Sequence, residues 1–88
     1  MTPKKIKIMG MELDEITYLS CTAHFGVGDN WATLYDIESD VKKQGHATKL
    51  LTEAKAYYES QGKSFGGSVA LNSTMRRIYK KLGIKEWT

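Results

Sequence analysis

"DVKKQGHATKLLTEAKAYYESQG" (Asp40 to Gly62) is the stretch on which the fold turns, because the chain changes period inside it. Ala47, Leu50, Leu51, Ala54, Tyr57 and Tyr58 recur three and four residues apart, the stripe of a helix packed along one side. Lys49, Thr52, Glu53, Lys55 and Glu59 fall outside that stripe. Gly62 stands where a helix ends through a left-handed residue. On either side the period returns to two. "WATLYDIES" (Trp31 to Ser39) precedes the helix and "SFGGSVAL" (Ser64 to Leu71) follows it, and both read as strands. Trp31, Thr33, Tyr35 and Ile37 are expected on one face, with Ala32, Leu34, Asp36 and Glu38 on the other. A strand–helix–strand unit predicts a parallel pair, which in a mixed sheet splays where ligands bind.

Working toward the amino terminus, "KKIKIM" (Lys4 to Met9) alternates charged and apolar residues as a half-buried strand does. "EITYLSCTAHF" (Glu15 to Phe25) is β-branched and aromatic and reads as one further strand, closed by a turn at "GVGDN". Toward the carboxyl terminus, Met75, Ile78, Tyr79 and Leu82 mark a shorter helix. Asn72 or Ser73 is its cap, Gly83 its stop, and "IKEWT" is a last edge strand. The expected order is β-β-β-α-β-α-β, an α+β mixed sheet forming one domain over residues 1–88.

The composition excludes several classes. No apolar run reaches the ~20 residues needed to span a bilayer, and "MTPKK" reads as a polar tail rather than a signal peptide. A lone Cys21 cannot form an internal disulfide, which points to a buried thiol in a reducing cytoplasmic compartment. His24 and His46 lack metal-ligand spacing, so no metal site is expected. A net charge of +3 without a dense basic stripe argues against nucleic acid and is compatible with a phosphate-bearing small molecule.

The chemistry concentrates at the start of the first helix. First-turn N–H groups lack internal partners, and the helix dipole adds positive charge. Gly45 admits close approach of a ligand, Ala47 is nearly as small, and Lys42, Lys43 and Lys49 raise the local potential. The phosphate loop of P-loop proteins and the dinucleotide fingerprint are both absent.

Two segments together resemble the GNAT superfamily of N-acetyltransferases. Lys42-Lys43-Gln44-Gly45-His46-Ala47 is similar to its Q/R-x-x-G-x-G/A signature, and "NSTMRRIYKKLGI" (Asn72 to Ile84) is similar to its N-x-x-A-x-x-x-Y-x-x-x-G-F pattern. Lys42, Met75 and Ile84 depart from those patterns, and the resemblance covers Trp31 to the carboxyl terminus. It implies acetyl-CoA as co-substrate, lying between the splayed central strands. Pyrophosphate would rest on the backbone of Gln44, Gly45, His46, Ala47 and Thr48, with Lys42 and Lys43 beside it. Pantetheine would pair with Ile37, Glu38 and Ser39 and bond Asn72, while Tyr79 would protonate the departing thiolate. Asp36 and Glu38 are the candidates for general base. Arg76, Arg77, Lys80 and Lys81 form a solvated face or meet the nucleotide 3′-phosphate.

The family's amino-terminal helical pair has no room here. The resemblance therefore implies an open acceptor site, or one completed by a second subunit, as in a homodimer, or by the substrate. The expected activity is direct transfer of acetyl from acetyl-CoA to a primary amine, a protein lysine or N-terminal amine. The alternative is an acyl-CoA-binding or partner-binding module with the same fold and little turnover. A small basic nucleic-acid binder would fit the charge but neither motif.

Overall fold

A computed structural model describes residues 2–39, 45–68 and 73–86. Six strands and two helices follow in the order β1 (Lys4–Ile8), β2 (Met11–Tyr18), β3 (Cys21–Val27), β4 (Trp31–Ser39), α1 (His46–Glu59), β5 (Ser64–Gly67), α2 (Ser73–Leu82) and β6 (Lys85–Glu86). They form one mixed sheet in the spatial order β1-β2-β3-β4-β5-β6. The first three pairings are antiparallel, and β5 pairs in parallel with both β4 and β6.

This overturns the expected β-β-β-α-β-α-β arrangement. Four strands precede α1, because the segment read as one strand over 15–25 is a hairpin. The chain reverses at Leu19 and Ser20, with Leu19 at φ 57° and Tyr18 opposite Cys21. Ser20 is a common turn residue, but Leu19 at positive φ is not, so pairing between the flanking strands sets that reversal more than local preference does. The first hairpin is locally encoded. Met9 and Gly10 both have positive φ, as a right-twisted two-residue turn requires. Among the described residues the expected splay of the central parallel pair is also not found. Trp31, Ala32, Thr33 and Leu34 pair in continuous register with Ser64, Phe65, Gly66 and Gly67, and the Ser68 N–H adds a bond to the Leu34 carbonyl at 3.0 Å.

A second correction concerns the faces of β4. The register with β3 slips between His24 and Phe25, so that Phe25 opposes Leu34 while His24 opposes Asp36 and Tyr35 is bulged out. Beyond the bulge the parity reverses. Ala32, Leu34 and Ile37 therefore belong to the core side, while Asp36 and Glu38 share the other side with Thr33 and Tyr35.

Both helices cover one face of the sheet. Leu50, Leu51, Ala54 and Tyr58 of α1 and Tyr79 of α2 join Ile16, Cys21, Ala23, Phe25, Ala32, Leu34, Phe65 and Ile84 in one buried cluster. Phe25, Tyr58 and Phe65 are its aromatic centre, with ring centroids 5.5 to 6.1 Å apart. Both helices end as the glycines require. Gly62 and Gly83 are left-handed (φ 79° and 69°), and the next residues donate back to Tyr58 and Tyr79. At the rim of the core Asp14 is buried as a carboxylate. Lys5 Nζ donates to its Oδ1 at 2.6 Å and Tyr58 Oη to its Oδ2 at 2.7 Å. Burial first, then the bond to Asp14, push the Tyr58 phenol well above its ordinary value.

Candidate functional site

The end of the sheet where β4 and β5 finish collects the candidate residues. Gly45 opens α1 in the left-handed conformation (φ 70°), and its carbonyl accepts the first helical bond from Lys49 N–H at 3.0 Å. No side chain caps this end, and no acidic residue occupies the first turn. The N–H groups of His46, Ala47 and Thr48 are the first-turn donors of a helix start that no side chain among the described residues caps, in a field that favours an anion. The His46 ring does something the sequence does not announce. Its Nδ1 shares a 2.7 Å hydrogen bond with Ser20 Oγ, tying the helix start to the β2–β3 turn. Lys42, Lys43, Gln44 and Asn72 lie outside the described residues.

Tyr79 reaches the same end from α2. Its Oη donates to the Ser68 carbonyl at 3.0 Å, just past the last residue of β5. Gly67 makes room for it, since a Cβ there would sit 2.2 Å from Tyr79 Oη. The two glycines of β5 introduce no bulge, and the close approach is at Gly67. Burial, then the Glu86 charge, raise the Tyr79 pKa against the opposing effect of its bond to Ser68. The phenol therefore holds its proton more tightly than a free tyrosine does.

Along β4, Ile37 is partly buried against the core, Glu38 is exposed opposite Thr22, and Ser39 pairs with Cys21. Asp36 has a partner missed by sequence reasoning. Its Oδ1 lies 2.6 Å from His24 Nδ1, and His24 Nε2 lies 2.9 Å from Glu15 Oε2. An imidazole is thus held between two carboxylates across β2, β3 and β4. The bond to Asp36 raises the His24 pKa most; partial burial opposes it, and Glu15 adds to the rise. Glu15 and His24 are visible in the sequence as polar-face residues, but pairing them needs the Leu19–Ser20 turn, and bringing in Asp36 needs the bulge. Cys21 is fully buried, as expected of an inert thiol. Arg76, Arg77, Lys80 and Lys81 are exposed. Among the described residues no cluster of His, Cys, Asp and Glu could hold a metal ion, and no helix is long and apolar enough to cross a membrane.

No family model, curated protein or solved structure matches the chain.

Proposed function

We propose that the chain is an acetyl-CoA-dependent N-acetyltransferase of GNAT type, moving acetyl to a primary amine by direct attack. One observation carries the reading. The uncapped, left-handed start of α1 at Gly45 and the protonated Tyr79 hydroxyl stand at the same carboxyl end of the parallel pair β4/β5. Ligands of α/β units bind at that end, where helix N-termini meet the strand ends. Pyrophosphate would rest against the amides of His46, Ala47 and Thr48. Pantetheine would run along β4 at Ile37, Glu38 and Ser39, which brings the thioester toward Tyr79. Tyr79 then donates its proton to the departing thiolate, aided by the negative charge that develops on sulfur as the C–S bond breaks and opposed by the raised pKa of the phenol. The acceptor enters from the uncovered face of the sheet, which suits a protein lysine or N-terminal amine better than a small amine that needs enclosing walls.

A binding module of the same fold is the second reading, favoured by the burial of Tyr79 and its bond to a backbone carbonyl, both of which a purely structural tyrosine also has. Calorimetric titration with acetyl-CoA and CoA, followed by thiol release with lysine-bearing peptides, separates the two. Binding with turnover supports the transferase and binding without turnover the module; no heat at high micromolar ligand removes both. Tyr79→Phe is expected to slow turnover on the order of 10²-fold with CoA affinity retained. Unchanged turnover would take Tyr79 out of the mechanism.

A further inference from the structure

The Glu15–His24–Asp36 chain lies on the face that neither helix covers, and its outer end is open. The Asp36 side chain is 59 % exposed, against 18 % for His24 and 29 % for Glu15. Tyr79 lies on the opposite, helix-covered face. Asp36 is two residues past Leu34; the Leu34 carbonyl accepts from Ser68 N–H at 3.0 Å, and the Ser68 carbonyl accepts from Tyr79 Oη at 3.0 Å. The polar chain thus opens on the uncovered face beside the stretch of β4 that runs past its last described β5 partner at Leu34, where an amine can approach a thioester bound along β4.

We propose that His24 is the general base for the acceptor amine, with Glu15 holding its tautomer and Asp36 receiving the substrate ammonium. The proposal rests on the acetyltransferase reading above. It replaces the choice between Asp36 and Glu38 with an imidazole that takes the proton and a carboxylate that binds the cation. Without substrate, Asp36 Oδ1 is paired with His24 Nδ1. The arriving ammonium takes the place of the ring beside Asp36, and neutral His24 keeps its Nε2–H on Glu15 Oε2 with Nδ1 free to accept. One N–H bond of the ammonium breaks and its proton bonds to Nδ1. The freed lone pair attacks the acetyl carbon, the C–S bond breaks, and the thiolate takes the Tyr79 proton. The second amine proton returns to the phenolate through water, and His24 sheds its proton to solvent past half-buried Glu15. Products are the amide, free CoA thiol and one proton.

An imidazole suits this work better than a lone carboxylate, because a base is most effective when its pKa lies near the working pH. Asp36 and Glu15 are the charged groups that act on His24. Glu15 of β2, with Lys4 of β1 opposite it, lies on one side; Asp36, Tyr35 and Glu38 of β4 lie on the other.

The test is the pH profile of kcat/KM for thiol release with acetyl-CoA and a lysine-bearing peptide, in wild type, His24→Gln and Glu15→Gln. Ring titration of His24 by NMR runs in parallel. Wild type is expected to show an inflection above pH 6.5 that coincides with the His24 titration and adds to the ionisation of the amine itself. Glu15→Gln should move the inflection to lower pH, since one raising carboxylate is lost. His24→Gln should abolish it and slow turnover at neutral pH on the order of 10²-fold, with CoA affinity unchanged. Wild-type turnover with the same inflection in His24→Gln overturns the role of His24 alone. If that variant does not fold, a Glu15→Gln inflection that stays in place overturns it instead. A wild-type chain that binds no acetyl-CoA, or releases no thiol at any pH, overturns the transferase reading and this role with it.

Discussion

The two faces of the sheet are built on opposite principles. The helix-covered face joins Phe25, Tyr58, Phe65, Leu50 and Leu51 into one apolar cluster, and its one buried carboxylate, Asp14, is closed off by Lys5 and Tyr58. The uncovered face carries its polar chain in the open, Glu15 to His24 to Asp36, with Tyr35 and Trp31 exposed beside it. Burial by area stabilises the first, since apolar surface removed from water gives about 25 cal/mol per Å². The second adds less to stability, because ion pairs at the surface are worth roughly 0–1 kcal/mol. A polar arrangement with less value for folding is free to serve chemistry.

Four substitutions test that contrast. Phe25→Ala should have the largest effect, a loss of about 3–5 kcal/mol in urea unfolding, as it opens a cavity at the aromatic centre. Gly67→Ala should follow at about 1–3 kcal/mol, because its methyl meets the Tyr79 hydroxyl, and thiol release should fall with it. A fully stable Gly67→Ala would mean that α2 shifts freely and that the Tyr79 position is not enforced. Tyr58→Phe removes one hydrogen bond from buried Asp14 and should cost about 1–3 kcal/mol; a null result would show that water reaches the carboxylate.

His24→Gln should be the smallest, and its signature is pH dependence. The folded pKa of His24 is raised, so its stabilising contribution is full below the unfolded value of about 6.5 and is lost as pH rises through the folded value. Wild type should exceed the variant by up to roughly 1 kcal/mol near pH 5.5, and the two should converge well above that. A difference that grows with pH would reverse the sign of the pairing.

Much of the helix-covered half was legible from residue types. The apolar stripe of α1 and the stops at Gly62 and Gly83 follow from local rules, and so does the parallel crossover from Trp31 through Ser64. The candidate site was legible in part. Gly45 begins α1 in the left-handed conformation and the Tyr79 hydroxyl bonds the Ser68 carbonyl, while the described part of the parallel pair shows no splay. His24 was passed over, because one histidine in an alternating strand carries no signal until its neighbours across the sheet are known.

The sequence by itself determined the helices, their ends and the presence of a crossover, because those depend on spacing within a few residues. Tertiary structure alone decided that residues 15–25 are two strands and that Asp36 turns to the same face as His24. Both depend on register, and one bulged residue at Tyr35 reverses the facing of everything beyond it. Which side chains meet across strands is set by pairing energy summed along the whole sheet, a quantity that no short window of sequence contains.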